Sequence, residues 1–365
     1  MLILNNDEID SLLSVEITLR VLEKAYRELA AGRAANRPRT DLYLPSTTEN
    51  GVYAFKSMEA GLVDPPVAAL RLNSEVIRWS ERGGRTIQEK APLAPGGKWV
   101  GLILLFSAQT GEPLAIMPDG VIQRLRVAAS SALAARYLAR RDARVLGILG
   151  SGWQAGAHVP AMCAVREIKK VRIYSPTESH RELFAAEMAK KVASEVEAVA
   201  DPEAAARGAD ILVAATNSIS RVVPPAWVRP GVHLTCVKDS ELGEETIRKA
   251  ERVVIHSRKF APENYVAGLD GKIEAHDPLE CLSGGEAPPP APPRAPFWVS
   301  NPELKDLIGG KVSGRGAPDE ITCFVNNIGL GLQFAALGAA VWAEAGAKGI
   351  GREIPTEWFL ESVHP

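Results

Sequence analysis

The sequence predicts an α/β protein with a doubly wound parallel sheet and a second domain of α+β type. Three features predict this fold class. A short apolar run at residues 145–149 ends in a glycine-containing turn, Gly-Ser-Gly-Trp-Gln-Ala, at residues 150–155. Strand-like and helix-like segments alternate from that turn to residue 256, which is typical of a sheet covered by helices on both faces. Residues 1–128 instead combine an amphipathic helix with several strands.

The turn at residues 150–155 has the G-x-G-x-x-A pattern of a dinucleotide-binding loop. In such a loop Gly150 allows the tight turn, Gly152 lets the backbone approach a pyrophosphate, and Ala155 lets the helix pack closely. One glycine turn is weak support, because similar turns occur in proteins that bind no nucleotide. The apolar runs around it favour a Rossmann domain over a purely structural turn; they lie at 145–149, 171–174, 196–199, 211–215, 232–237 and 253–256.

The predicted contacts with the dinucleotide come from this turn and from the ends of the following strands. A helix N-terminus offers free N–H groups and a partial positive charge to the phosphates. The residues expected to contact the cofactor are Gly150, Ser151, Gly152, Trp153, Gln154, Ala155, Ser175, Thr177, Ala215, Thr216, Asn217 and Val237.

The end of the second strand distinguishes NAD from NADP. Domains that bind NAD usually carry an acidic residue there for the ribose hydroxyls, whereas this sequence has Ser175 and Thr177. Glu178 is the acidic candidate, but we expect it to stabilise the dipole of the helix that it begins. We therefore expect NAD(P) and favour NADP, with Ser175, Thr177 and either His180 or Arg181 around the 2′-phosphate.

The N-terminal region is expected to form the other wall of an active site. A helix is predicted at residues 15–31, because its apolar residues fall on one face. Strands are predicted at residues 52–55, 67–73, 100–106 and 114–117, with turn-rich pieces between them.

A long helix predicted at residues 120–140 carries Arg126 in line with its apolar stripe. A guanidinium that points inward is costly to bury unless it pairs with a carboxylate. That carboxylate can belong to a protein Asp or Glu, or to a substrate. The sequence leaves both alternatives open.

Composition and charge exclude several other classes. The formal net charge of −2 gives no reason to expect a nucleic-acid partner. The cysteines at 163, 236, 281 and 323 form no C-x-x-C pair and suit free thiols in a reducing compartment. No apolar run of membrane-spanning length and no signal-peptide pattern occurs, so we expect a cytoplasmic protein without a membrane partner. No H-E-x-x-H, G-x-S-x-G or P-loop motif is present, and no metal is expected.

A second segment precedes the glycine turn at a distinctive separation. It spans residues 119–139 and begins Asp-Gly-Val-Ile-Gln-Arg-Leu-Arg-Val-Ala-Ala. This combination resembles the ornithine cyclodeaminase and µ-crystallin family, which pairs an L-R-T-A-A helix with a G-x-G-x-Q-A turn. Further pieces that agree are Gly-Glu-Pro-Leu-Ala at 111–115, Asp239 after the fifth strand, and Glu-Ile-Thr at 320–322. The resemblance covers most of the chain and is weakest across residues 258–300.

The resemblance implies roles for individual residues. Arg126 would bind the α-carboxylate of the substrate, and Arg39 would be a second carboxylate-binding arginine. Asp239 would be the acid or base, and it follows a strand at the edge where a doubly wound sheet binds its ligands. A simple loop or capping carboxylate remains the alternative for Asp239. The resemblance also implies a homodimer formed by the N-terminal sheets.

One position departs from the family. Arg71 stands where cyclodeaminases have a lysine, and a guanidinium stays protonated near neutral pH. Arg71 can hold a carboxylate or polarise a carbonyl, but it is a poor proton shuttle. Arg71 therefore favours hydride transfer over ornithine cyclisation. Lys56 is a candidate substitute, and a strand residue at the pocket edge is its alternative interpretation.

The predicted function is hydride transfer between nicotinamide and the α-carbon of a small amino acid or its imine. Such an enzyme is an imine or ketimine reductase or an amino-acid dehydrogenase, and it consumes cofactor. Two alternatives stay open. The first is a redox-neutral ornithine cyclodeaminase that releases ammonia and recycles bound NAD. The second is a non-catalytic, nucleotide-binding protein of crystallin type.

Two domains are predicted. Residues 1–128 and 320–365 would form the α+β substrate-binding and dimerisation domain, and residues 129–319 the Rossmann domain. Residues 258–300 break the α/β rhythm and include a proline-rich stretch at 287–296, which suits an extended chain. A surface insertion is one interpretation, and a lid with Asn264 and Tyr265 facing the cofactor is the other. The segment around 314–322 is expected to lead into a helix at 327–345.

Overall fold

Two β-sheets and the helices packed on them form the protein. The computed structural model describes residues 1–48, 51–82, 85–91, 98–218, 220–272 and 295–362. Its strands are, in chain order, β1 (Leu2–Ile3), β2 (Ala34–Asn36), β3 (Thr40–Pro45), β4 (Gly51–Leu62), β5 (Val67–Arg82), β6 (Arg85–Ala91), β7 (Val100–Ser107), β8 (Pro113–Pro118), β9 (Val145–Leu149), β10 (Lys170–Tyr174), β11 (Glu195–Ala198), β12 (Ile211–Ala214), β13 (His233–Cys236), β14 (Arg252–Ile255), β15 (Glu263–Val266), β16 (Thr322–Val325) and β17 (Arg352–Glu353). Its helices are α1 (Asn6–Leu12), α2 (Val15–Ala30), α3 (Gly120–Leu138), α4 (Trp153–Val165), α5 (Glu178–Ala189), α6 (Pro202–Ala206), α7 (Asp239–Ile247), α8 (Leu304–Ile308) and α9 (Gly331–Lys348).

The first sheet is parallel throughout and has the strand order β11-β10-β9-β12-β13-β16-β14. Every residue of β12, β13 and β16 is buried, as expected for short apolar strands covered on both faces. The strand order reverses between β9 and β12, where an open α/β sheet forms its ligand-binding crevice. The predicted doubly wound parallel sheet is therefore confirmed.

The second sheet is mixed and has the order β15-β3-β4-β5-β7-β8-β1-β17, with β2 and β6 paired to its long strands. Its pairs are antiparallel except for β1 with β8 and β15 with β3. Helix α9 packs across β4 and β5. Buried and less buried residues alternate along β4, because successive side chains of a strand point to opposite faces.

Helix α3 connects the two halves of the molecule. It packs against α2, α4 and α9, and most of its side chains are buried. A helix that is buried almost all round is expected in the middle of a large core. The position of α3 carries Arg126 into the interior, as its place on the apolar stripe predicted.

The segment near residue 320 differs from the prediction. Residues Thr322–Val325 form the central strand β16, and the following helix begins at Gly331 rather than near residue 327. The run Thr-Cys-Phe-Val was interpreted as the approach to the following helix, and only its pairing with the distant strands β13 and β14 identifies it as a strand. The predicted domain boundary at residue 320 falls just before a strand of the parallel sheet.

The chain after β14 crosses to the mixed sheet. There β15 pairs in parallel with β3, which buries Asn264 and leaves Tyr265 exposed. Most of the proline-rich stretch, and Cys281, lie outside the described residues. No helix within the described ranges is both long enough and apolar enough to cross a membrane.

Candidate active site

Gly150 and Gly152 meet different demands in the turn after β9. Gly150 has φ +122°, and a Cβ there would lie 2.2 Å from the carbonyl oxygen of Ala215. Only glycine fits so close to the neighbouring strand. A Cβ on Gly152 would meet no atom within 4 Å, and no side chain caps the helix that starts after it. The turn thus has open space beside uncapped helix N–H groups, which fits a pyrophosphate.

A buried glutamate organises the strand ends beyond this turn. Glu241 accepts hydrogen bonds from the backbone N–H of Thr216 at 2.5 Å and from its hydroxyl at 2.7 Å. Its other oxygen accepts from the N–H groups of Val237 at 2.9 Å and Lys238 at 3.0 Å. Glu241 therefore ties together the ends of β12 and β13. Sequence reasoning missed it, although a glutamate in the first turn of a helix is a common signal for such capping.

The end of β10 carries the groups expected near the adenosine ribose. The hydroxyl of Ser151 donates to that of Ser175 at 2.9 Å, so the two predicted serines meet. Arg181 is buried and donates to the carbonyl of Ser175 at 3.4 Å. Glu178 lies 3.6 Å from Arg181, and its side chain is 73% exposed. Thr177 is exposed, at the start of α5.

The remaining predicted cofactor contacts surround the same crevice. Trp153 and Asn217 are exposed, whereas Ala155 is completely buried under the turn. The side-chain oxygen of Gln154 is buried and has no hydrogen-bond partner in the structure. An unsatisfied acceptor beside the open turn suits a ligand that brings hydroxyl or amide donors.

Asp239 is the first residue of α7, directly beyond β13. It is half-buried, and within the described part of the chain its carboxylate has no hydrogen bond or ion pair. Its carboxylate is therefore free to contact a ligand at the carboxyl edge of the parallel sheet. This position suits an acid or base.

Arg126 is buried without a carboxylate partner among the described residues. Its guanidinium donates to the amide oxygen of Gln123 from Nε at 3.1 Å and from Nη2 at 2.9 Å. Nη1 donates to the amide oxygen of Gln333 at 3.3 Å. Burial, and then the neighbouring charge of Arg71, lower the pKa of Arg126. Of the two alternatives for its partner, the protein carboxylate is not found in the described structure.

Arg71 is paired. Its Nε and Nη2 each lie 2.7 Å from Asp119, and both residues are buried. The guanidinium carbons of Arg71 and Arg126 lie 5.1 Å and 5.5 Å from the ring centre of Phe334. This ring provides a polarisable surface for two buried cations.

The other predicted cations also have carboxylate partners. Arg39 makes a two-pronged contact with Asp41, at 2.7 Å and 2.5 Å. Lys56 is hydrogen-bonded to Glu75, and burial lowers the pKa of Lys56. Like Arg71 and Asp119, these groups belong to or flank the mixed sheet.

The buried or half-buried charges at this wall do not balance. Among the side chains that the structure describes here, four cations face three carboxylates, so one positive charge is left over; the groups are Arg39, Lys56, Arg71, Arg126, Asp41, Glu75 and Asp119. A largely exposed lysine, Lys90, also contacts Glu75 and adds to the positive side. Such an excess favours an anionic ligand.

A cavity of about 400 Å³ lies next to these charges and is lined in part by Arg39, Tyr26 and His256. The hydroxyl of Tyr26 lies 2.6 Å from Nε2 of His256. Burial lowers the pKa of His256 to about 3 and raises the pKa of Tyr26, so both side chains are neutral near pH 7. Neither residue was predicted, because their contact joins parts of the sequence that are far apart.

No group of three His, Cys, Asp or Glu side chains that could hold a metal ion occurs within the described ranges. The described residues thus offer an open glycine turn, an aspartate without a hydrogen bond or ion pair, and a buried guanidinium without a carboxylate partner. These features suit an anionic organic substrate beside a dinucleotide.

Comparisons with known proteins give similar sequences and solved structures. Residues 96–348 match the model of the ornithine cyclodeaminase/mu-crystallin family. The chain is 28% identical to Delta(1)-pyrroline-2-carboxylate reductase of Bacillus cereus, over 97% of this chain and 99% of the relative. It is 27% identical to alanine dehydrogenase of Archaeoglobus fulgidus, over 97% of this chain and 98% of the relative.

A solved structure extends the comparison to the fold. Delta(1)-pyrroline-2-carboxylate reductase of Thermococcus litoralis, in complex with NADH and L-proline, superposes with a TM-score of 0.74 at 27% identity. The match covers 97% of this chain and 100% of that chain.

Proposed function

The chain belongs to the ornithine cyclodeaminase/mu-crystallin family, and from this premise we propose that it is an NAD(P)-dependent oxidoreductase. It transfers hydride between nicotinamide and the α-carbon of a small amino acid or its imine. The observation that carries the proposal is Arg126, a buried guanidinium whose hydrogen-bond acceptors in the described part of the chain are neutral amide oxygens. A substrate carboxylate is the counter-ion that this arrangement lacks.

In this proposal each residue of the site has a separate role in the reaction. A bound nicotinamide dinucleotide supplies or accepts the hydride. Gly150 and Gly152 leave the space in which the pyrophosphate is held. Arg126 binds the carboxylate, which orients the α-carbon and limits the motion of the substrate. Asp239 hydrogen-bonds to the substrate nitrogen and exchanges a proton with it.

Arg71 supports a reductase or dehydrogenase rather than a cyclodeaminase. Its guanidinium is already paired with Asp119, so it does not act as a proton shuttle. The enzyme then stops after one hydride transfer, and reduced and oxidised cofactor interconvert stoichiometrically with substrate.

We further propose a preference for NADP. Arg181, beside the carbonyl of Ser175, contributes a cation near the ribose end of the crevice. The acidic candidate Glu178 points largely into solvent and contacts this same arginine. Both features favour a 2′-phosphate over free ribose hydroxyls. The rates with NADPH and NADH at equal concentrations test this preference.

We also propose a homodimer formed by the outer face of the mixed sheet. That face, opposite to α9, carries apolar side chains that the monomer leaves partly or largely exposed; they include Leu42, Leu44, Phe55, Leu70, Leu72, Leu102 and Leu104. An apolar surface of this kind is typical of an interface. Light scattering after size exclusion should give twice the chain mass, and Leu72→Glu should shift it to the monomer.

The activity is tested by nicotinamide absorbance. The purified protein is incubated with NADPH or NADH and a panel of 2-oxo acids with amines and of cyclic imines, and ammonia release from ornithine is followed with catalytic NAD. We expect stoichiometric loss of reduced cofactor. Ammonia and proline without net cofactor change would indicate a cyclodeaminase. No change in either assay would contradict the proposal and favour a nucleotide-binding protein without turnover.

A further inference from the structure

Two glutamines hold the guanidinium of Arg126. Gln123 precedes it by one turn of α3, and Gln333 reaches it from α9. Both offer an amide oxygen, which accepts hydrogen bonds but carries no net charge. A glutamate at either position would form a stronger, charge-assisted pair with the arginine. The glutamines therefore orient the guanidinium and leave its positive charge uncompensated.

The orientation of the Gln333 amide is determined by its neighbours. Its oxygen accepts from the backbone N–H of Leu330 at 3.1 Å and from Arg126. Its nitrogen donates to the hydroxyl of Ser130 at 2.7 Å and to that of Tyr26 at 3.2 Å. A flipped amide would place N–H groups against the donors of Leu330 and Arg126. Only one orientation satisfies all these contacts.

His256 completes this arrangement. Its Nδ1 is hydrogen-bonded to the carbonyl oxygen of Ile328, which can only accept, so Nδ1 carries the proton. Nε2 is then an acceptor, and the hydroxyl of Tyr26 donates a hydrogen bond to it. Tyr26 consequently presents its oxygen lone pairs to the amide nitrogen of Gln333. His256, Tyr26 and Gln333 thus form a chain of neutral hydrogen-bonding groups, and Gln333 contacts the guanidinium of Arg126.

Phe334, the residue after Gln333, also contacts Arg126 without adding charge. The ring of Phe334 lies against the guanidinium of Arg126 and that of Arg71 without adding charge. An aromatic face stabilises a buried cation but does not replace a carboxylate. Among the described residues, Gln123, Gln333 and Phe334 thus contact the guanidinium of Arg126 without adding a negative charge.

We propose that Gln333 is a positioning residue, whose neutral amide orients Arg126 and reserves its charge for the substrate carboxylate. This inference rests on the proposed function. It predicts that a negative charge at position 333 or 123 weakens binding of the substrate carboxylate. It also predicts that such a charge leaves binding of the cofactor unchanged.

The test compares Gln333→Glu with Gln123→Glu, and uses Gln109→Glu, in an exposed turn, as a matched control for added charge. In steady-state kinetics with the best substrate of the panel, we expect KM to rise about 10- to 100-fold in the first two variants. The value of kcat should change much less, and the Kd of the cofactor should not change. Gln333→Met, which removes the amide without adding charge, should raise KM less than Gln333→Glu.

A KM that stays within about twofold in Gln123→Glu would overturn the inference, since such a small change corresponds to a free energy below that of a charge-assisted contact. Equal losses in Gln333→Glu and Gln333→Met would also overturn it, because shape rather than charge would then matter. If Gln333→Glu does not fold, Gln123→Glu carries the test, because the glutamine that is hydrogen-bonded to Tyr26 and Ser130 is Gln333, and the amide oxygen of Gln123 bonds to Arg126 instead.

Calorimetric titration with L-proline in the presence of oxidised cofactor separates this inference from the proposed function. If the wild type binds proline but reduces no imine, the oxidoreductase proposal fails. Loss of proline binding in Gln333→Glu and Gln123→Glu would still support the positioning role. Proline binding that is equal in the wild type and both variants would overturn it.

Discussion

The two sheets bury polar groups in different ways. In the parallel half several buried polar side chains form neutral contacts, such as His158 with Ser131 at 3.2 Å and His233 with Thr322 at 2.9 Å. On the mixed sheet the buried polar groups are ionised pairs, such as Arg71 with Asp119. A strand of the mixed sheet can place charges on one face because its side chains alternate. The parallel sheet is covered on both faces, and its buried Glu241 is held at the strand ends by N–H groups and a hydroxyl rather than by a cation.

This difference corresponds to two kinds of recognition. The parallel half offers backbone groups and open space at its glycine turn, which suit a cofactor whose phosphates bind N–H groups. The mixed half offers oriented side-chain charges, which suit a small carboxylate. Helix α3 lies between them and brings Arg126 to the boundary. Variants in the two halves should therefore affect different binding constants.

The largest effect is expected from Arg126→Ala. Removing the guanidinium leaves the carboxylate without its counter-charge, and kcat/KM should fall by about 1000-fold. The Kd of the cofactor should remain the same, as measured by fluorescence titration. Arg124→Ala, which removes a partly exposed arginine two residues away, is the matched control. Unchanged turnover in Arg126→Ala would show that the carboxylate binds elsewhere.

Asp119→Asn should mainly affect stability. It leaves Arg71 buried without a carboxylate, close to the charge of Arg126, and should lower the free energy of unfolding by about 3 kcal/mol. Urea denaturation measures the change. Glu187→Gln removes one partner of an exposed ion pair with Lys191 and should cost well under 1 kcal/mol. Similar losses in both variants would contradict the distinction between buried and exposed pairs.

The two glycines of the turn should separate stability from cofactor binding. Gly150→Ala places a Cβ against Ala215 at positive φ and should cost about 2 kcal/mol of unfolding free energy. Gly152→Ala meets open space, so its stability should change little while the Kd of the cofactor rises about 10-fold. Denaturation and cofactor titration of both variants measure these effects. A stable Gly150→Ala protein would contradict the steric argument.

The smallest effect concerns acid stability of the parallel half. Burial lowers the pKa of His158 to about 4, below its ordinary value of 6.5. As the pH falls below about 6.5 the unfolded chain takes up a proton that the folded chain does not, so stability decreases towards pH 4. His158→Gln should reduce the loss of unfolding free energy between pH 7 and pH 5.5 by about 1 kcal/mol. An unchanged pH dependence would show that this histidine is not responsible.

The predictions made from the sequence succeeded where the determinants are local. The apolar run, the turn and the helix that follow one another at residues 145–165 were identified correctly. The inward direction of Arg126 followed from its place on α3. The roles of Arg39, Arg71 and Lys56 stay predictions, although the structure shows the carboxylate that each one contacts. The strand β16 was missed because its run was interpreted as the approach to the following helix, and its strand character follows from pairing with β13 and β14.

The glycine turn was determined by the sequence alone, because its steric demands act between neighbouring residues and the strand beside them. The tertiary structure decided that the hydrogen-bond partners of the Arg126 guanidinium are neutral amides. Tyr26, His256 and Gln333 lie on separate elements, and Tyr26 and His256 are 230 positions apart in the chain. The pairing of charges on the mixed sheet depends on strand register, since a shift of one residue would turn Arg71 and Glu75 to the opposite face. Packing of the whole sheet decides this register, so a local sequence pattern does not predict it.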